Sequence, residues 1–179
     1  MYITVIYVAL LAASLIAAVT DLRTGLIPNR LTVPLLVLAI AGHGIALGWH
    51  GAGLALLGAL VCGATPFLFH RLGAMGGGDV KLFAALGALA GPGMGLEIQL
   101  LSMTAAFVWG LCVMAYRGRL IETLRNVGRV LVGLFWPPAR RRQSPEDAPE
   151  LTSMRIGLAI FAGALLAVGN RVLLGGFTP

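Results

Sequence analysis

The sequence has 179 residues, of which 58% are hydrophobic and 11% charged, with a formal net charge of +6. Soluble domains carry about 25% charged and about 45–50% apolar residues, so this composition excludes an ordinary soluble globular protein. The apolar residues form long blocks, and roughly 17–25 such residues in a row are enough to span a bilayer. The sequence therefore predicts an all-α, polytopic membrane helical bundle.

Six apolar blocks follow one another along the chain and predict about six transmembrane helices. They lie at about residues 2–20, 31–48, 52–70, 80–91, 95–116 and 155–174. No basic segment precedes the first block, and its length exceeds the roughly 7–15 apolar residues of a secretory signal, so we predict a retained transmembrane helix. The fourth block is short and lies between glycine-rich stretches at 76–78 and 91–93. We expect it to lengthen by tilting or by using residues of the first stretch.

Basic residues concentrate in the segments that follow the first, third and fifth blocks. Twelve of the thirteen Lys and Arg residues lie in these segments, and Arg171 is the exception. Under the positive-inside rule these segments face the cytoplasm, which places Asp21 and Asp79 at the same membrane face. We interpret the positive charge as an orientation signal and a contact for membrane lipid, and we expect no nucleic-acid partner.

The cytoplasmic loop at residues 117–154 has an internal organisation of its own. Residues 119–135 alternate apolar and basic positions at helical spacing. This pattern predicts an amphipathic helix lying in the lipid headgroup plane, with Trp136 as an interfacial anchor. A polar linker is predicted at about 139–150. We find no internal repeat, so we predict one membrane domain over residues 1–179.

Two of the three aspartates lie at the edges of apolar blocks. Asp21 ends the first block and Asp79 opens the fourth, whereas Asp147 lies in the polar linker. A carboxylate beside hydrocarbon is costly and suggests a functional site, although each aspartate alone could also serve as a helix cap. Two adjacent carboxylates share a proton, so that one activates water while the other polarises a carbonyl group. Such chemistry needs no cofactor, and we expect no metal site.

The residues around both aspartates form two motifs. The first is D-x-R followed by IPN, and the second is G-x-GD-V-K-L. They comprise Asp21, Arg23, Ile27, Pro28 and Asn29, and then Gly76, Gly77, Gly78, Asp79, Val80, Lys81 and Leu82. These motifs resemble the type IV prepilin peptidase family of GxGD membrane aspartyl proteases. The resemblance implies that Asp21 and Asp79 are catalytic. It also implies an active site supported by Gly76, Gly77, Gly78, Lys81, Arg23, Pro28 and Asn29.

The same resemblance implies a reaction and a location. Members of this family cut short basic leaders from pilin and pseudopilin precursors at the cytoplasmic face of the inner membrane, usually after a glycine. The sequence has no tetracysteine segment like that of the bifunctional members, so the resemblance does not imply N-methylation and leaves that activity open. Its length is similar to that of the peptidases of tight-adherence (Flp) pilus systems. An archaeal preflagellin peptidase is also similar in size and stays an open alternative.

Two functions of other classes compete with a peptidase. A small transporter or ion-relay protein would use intramembrane carboxylates, but such proteins often show repeats and broken helices near the bilayer midplane. Here no repeat is found, and both aspartates are predicted at a membrane boundary. A non-enzymatic assembly factor would leave the pairing of Asp21 with the glycine-flanked Asp79 unexplained. The sequence therefore favours the peptidase.

Overall fold

The structure, a computed structural model, describes residues 2–72, 75–116, 118 and 156–173, and within these ranges all regular secondary structure is helical. The helices are α1 (Tyr2–Thr24), α2 (Asn29–Arg71), α3 (Gly77–Tyr116) and α4 (Gly157–Leu173). The predicted all-α class is confirmed. α1, α2 and the part of α3 from Gly77 to Val113 are long and apolar enough to cross a membrane, and α4 is a shorter apolar helix.

Two glycines interrupt α2 and α3. Gly48 and Gly91 have φ values of 65° and 77°, which glycine adopts readily because it has no Cβ. A Cβ at Gly95 would lie 2.9 Å from the Cα of Gly87, whereas residues eight apart in a straight helix are about 12 Å apart. The chain therefore reverses at Gly91, and the close approach of Gly51 to a main-chain carbonyl before Gly48 shows the same for α2. The predicted count of six membrane spans stays a prediction.

The helix that contains the short fourth block begins before the first apolar residue of that block. α3 begins at Gly77, so two residues of the glycine stretch at 76–78 belong to the helix. The expectation that this block would use residues of that stretch is confirmed. As a result Asp79 lies inside the first turn of α3 and its orientation is fixed by the helix.

α1 packs along α4 through a stripe of mostly small residues. On α1 the buried residues are Leu10, Ala13, Ser14, Ala17, Ala18 and Asp21. On α4 they are Gly157, Ile160, Gly163, Ala164, Ala167 and Val168. Small side chains allow helices in a membrane to approach closely, which replaces the hydrophobic driving force available in water. Asp21 near the end of α1 meets Gly157 at the start of α4, so the two helices run antiparallel.

The chain divides into two compact units, Met1–Ala105 with Arg155–Pro179, and Ala106–Met154. The first contains α1, α2, most of α3, and α4. In the second, the structure describes the end of α3 and Gly118, whose amide donates a hydrogen bond to the Ala115 carbonyl over 3.1 Å. The predicted amphipathic helix at 119–135 and linker at 139–150 lie outside the described residues. The single domain over residues 1–179 stays a prediction.

Candidate active site

Asp21 lies in the last turns of α1 and is buried, with 7% of its surface exposed. Its Oδ2 atom accepts a hydrogen bond from the main-chain N–H of Gly157 over 2.9 Å. The first amides of a helix have no partner within that helix, and the helix dipole there favours negative charge. α4 therefore holds the Asp21 carboxylate by its N-terminus.

Asp79 is the third residue of α3 and is half-buried. The main-chain N–H of Gly76, just before the helix, donates a hydrogen bond to its carboxylate. A carboxylate in the first turn that bonds back to the preceding amide is a known way of capping a helix N-terminus. A Cβ at Gly76 would lie 3.1 Å from Oδ2 of Asp79. The glycine therefore leaves the carboxylate room to occupy this position.

The structure brings the two aspartates together from positions 58 residues apart in the sequence. Asp21 is close enough to act electrostatically on the carboxyl group of Asp79. Two neighbouring carboxyl groups can share a single proton. One carboxylate is then available to accept a proton and one carboxyl group to donate one. Each aspartate also acts as a helix cap, because each accepts a hydrogen bond from a main-chain amide at the start of a helix.

The segment between α1 and α2 contacts the glycine stretch before α3. Lys81 Nζ donates a hydrogen bond to Oδ1 of Asn29 over 2.8 Å, which joins the first turns of α2 and α3. Pro28 caps α2 in an extended conformation, with φ −73° and ψ 139°. Ile27 is buried, and a Cβ at Gly78 would lie 3.1 Å from its Cβ. The structure thus brings the two sequence motifs together side by side.

Gly77 and Arg23 make looser contacts than the other predicted support residues. A Cβ at Gly77 would stand 3.5 Å from Cε1 of His70, which is ordinary contact. His70 Nδ1 lies 2.9 Å from the carbonyl oxygen of Met75, just before the glycines. The Arg23 side chain is exposed in the last turn of α1, where a cation suits the negative end of the helix dipole. Its placement favours a role at the helix end.

The structure adds two residues to the site that the sequence did not single out. Gly157 bonds Asp21, and His70 bonds the segment that leads to Asp79. Gly157 opens the last apolar block but is one of 25 glycines, so nothing in the sequence distinguishes it. His70 ends an apolar block like many boundary residues. Both were missed because their role depends on contacts between helices.

The C-terminal end of α4 makes a second polar contact with the part of α3 that follows its break at Gly91. Arg171 Nη2 lies 3.2 Å from Oε2 of Glu97, and Asn170 Nδ2 donates a hydrogen bond to Oε1 of Glu97 over 3.3 Å. Arg171, the basic residue outside the predicted cytoplasmic segments, therefore pairs with Glu97 away from the aspartates. Among the described residues, no group of three or more His, Cys, Asp or Glu side chains is arranged to hold a metal ion.

Comparisons with known proteins agree with the two motifs. Residues 8–111 match the type IV leader peptidase family. The chain is 30% identical over 179 residues to a prepilin leader peptidase/N-methyltransferase of Bacillus subtilis (strain 168), covering 96% of this chain and 60% of the relative. It is 33% identical over 96 residues to a protein of the same name from Vibrio cholerae serotype O1, covering 50% and 38%. No solved structure matches significantly.

The extent of these matches bears on how the site is interpreted. The chain spans 60% or less of the length of the two relatives. The family match includes both Asp21 and Asp79, whereas Gly157 and the rest of α4 lie beyond its last residue. The comparisons give no support to a transporter or ion-relay protein.

Proposed function

Because the chain belongs to the type IV leader peptidase family, we propose that it is a membrane aspartyl endopeptidase that removes the short basic leader from prepilin or pseudopilin precursors. Asp21 and Asp79 are its catalytic pair. The observation that carries this proposal is that the motifs of these two carboxylates, on separate helices, lie side by side, with Asp21 near enough to act electrostatically on Asp79. Their proximity is what a two-aspartate peptidase requires, and a helix-capping role alone would not require it.

The proposed reaction follows from a pair that holds one proton. The ionised carboxylate takes a proton from water, and the resulting oxygen nucleophile attacks the carbonyl carbon of the scissile peptide bond. The protonated carboxyl group donates its proton to the carbonyl oxygen as negative charge develops there. Collapse of the tetrahedral intermediate breaks the C–N bond, and the proton taken from water passes to the leaving amine. The shared proton returns to the pair, so the enzyme is restored without a covalent intermediate.

The proposed location is the inner membrane, with the active site facing the cytoplasm. Two observations support it. The basic segments flank the ends of α1 and α2 and the start of α3, where the aspartates lie. The Glu97–Arg171 pair joins the C-terminal end of α4, which is the end away from Asp21, to the part of α3 that follows Gly91. A basic leader would approach this face from the cytoplasm, while the apolar segment after the cut would lie against lipid-exposed helix surfaces.

The proposed role of the support residues is to hold the two motifs in register. The Lys81–Asn29 hydrogen bond joins the first turns of α2 and α3. The buried Ile27 contacts Gly78, which also holds the segment before α2 against the start of α3. Both contacts fix the start of α3, and the start of α3 fixes Asp79. Lys81 and Asn29 therefore act as positioning residues.

The test is replacement of each aspartate in the full-length protein, co-expressed with a prepilin. Asp21→Asn and Asp79→Asn each keep side-chain size and remove the ability to ionise, so we expect both to abolish leader removal while the protein still accumulates in the membrane. Cleavage is followed by the mobility shift of the precursor. Asp147→Asn is the matched control and is expected to cleave normally. Substantial cleavage by either well-expressed active-site variant would refute the pair.

A further inference from the structure

The N-terminus of α4 meets the Asp21 carboxylate more closely than helix packing alone requires. The amide of Gly157 donates to Oδ2 of Asp21 over 2.9 Å, and this contact is buried. The two residues are 136 positions apart in the sequence, and Gly157 lies beyond the stretch that matches the family. By contrast, the amide that bonds Asp79 comes from the turn that begins its own helix. Asp21 alone therefore depends on a distant helix for its hydrogen bond.

Position 157 has no room for a side chain. A Cβ there would lie 2.8 Å from the Cβ of Asp21, 2.9 Å from its Oδ2 and 3.2 Å from the Cα of Ala18. Ordinary contact begins at 3.4 Å, so restoring it requires the helices or the carboxylate to move by about 0.6 Å. Neither Asp21 Cβ nor the main chain at Ala18 is the free end of a flexible side chain. The movement must therefore displace the carboxylate or separate α1 from α4.

We infer that Gly157 is a positioning residue of the proposed peptidase, whose main-chain N–H and missing side chain together fix the Asp21 carboxylate for catalysis. The inference rests on the proposed function, because it assigns α4 a part in the same site. The amide donates to one carboxylate oxygen and so fixes the orientation of the carboxylate. α4 is thus part of the active site as well as of the packing around it.

The first experiment measures kcat and KM for Gly157→Ala in the purified full-length protein with a synthetic precursor peptide. A misplacement of about 1 Å can cost roughly 10²-fold in rate, so a displacement of 0.6 Å predicts a loss of about 15-fold in kcat. KM should change little, because Gly157 is buried and the atoms nearest to a Cβ there belong to Asp21 and Ala18. Gly169→Ala on the same helix is the matched control, since a Cβ there meets nothing within 4 Å. Unchanged kcat in Gly157→Ala, or a loss expressed only in KM, would overturn the inference.

The second experiment does not depend on activity. Gly157→Ala is made in the wild-type protein and in Asp21→Gly, where both the crowded Cβ and the carboxylate are absent, and thermal unfolding in detergent is compared. We expect Gly157→Ala to lower the melting temperature more in the presence of Asp21 than in its absence. If Gly157→Ala folds only in the Asp21→Gly background, that result also supports the inference. An equal effect in both backgrounds would show that position 157 does not act on Asp21, whereas a wild-type protein that fails to cleave would count against the proposed function alone.

Discussion

Gly76 offers a graded test of how tightly Asp79 is positioned. Its φ is not in the left-handed region, so alanine fits the main chain there without strain. The new Cβ would lie 3.1 Å from Oδ2 of Asp79, and ordinary contact begins at 3.4 Å. The carboxylate must therefore yield by about 0.3 Å, half of the movement needed at Gly157. The substitution changes the position of one catalytic oxygen and little else.

The expected loss of kcat follows from the same relation between displacement and rate that was applied to Gly157→Ala. If the logarithm of the rate falls in proportion to displacement, with roughly 10²-fold lost for about 1 Å, a movement of 0.3 Å lowers kcat about fourfold. Alanine is also a poorer residue than glycine just before a helix, which costs a few tenths of a kcal/mol or more of helix stability. We therefore expect a measurable but incomplete loss of activity, smaller than that of Gly157→Ala. The assay is peptide cleavage by the reconstituted enzyme, followed by mass spectrometry.

Two comparison variants make this result specific. Gly78→Ala introduces the same 3.1 Å crowding against the Cβ of Ile27, which acts on Asp79 only through the start of α3. We therefore expect a lower melting temperature and a smaller loss of kcat than for Gly76→Ala. Gly93→Ala meets nothing within 4 Å and should behave as wild type. The reasoning is refuted if Gly76→Ala keeps wild-type kcat, or if Gly78→Ala lowers kcat more than Gly76→Ala does.

Two further predictions concern packing and orientation. Gly87→Ala would place a Cβ against the carbonyl oxygen of Gly58 and 2.6 Å from the Cβ of Cys62, so we expect a loss of about 1–3 kcal/mol typical of overpacking, measured as a lower melting temperature in detergent. Gly53→Ala, with nothing within 4 Å, is the control. Single cysteines at the exposed positions 50 and 93 should react with an external, membrane-impermeant reagent, whereas cysteines at 24, 74 and 145 should not, in protein lacking both native cysteines. External labelling at 24 or 74 would contradict the cytoplasmic active site.

The local chemistry of the sequence was sufficient to predict the helical class and where its helices break. Uninterrupted apolar blocks leave few alternatives to helices, because main-chain polar groups in lipid must be satisfied within the structure. Gly91, followed by Pro92, predicted the break that the structure shows within α3. The motif around Asp79 also predicted its place at a helix start, since a glycine stretch followed by an apolar block begins a helix there.

The pairing of distant residues could be decided only by the tertiary structure. The spacing of Asp21 and Asp79 along the chain contains no information on their separation in space, because α2 with its reversal at Gly48 lies between them. The contact of Gly157 with Asp21 depends on the antiparallel register of α1 and α4, which the packing of small residues along both helices sets. One glycine among many becomes indispensable where another helix leaves no space for a Cβ. That condition is a property of the packed helices, and no local sequence pattern records it.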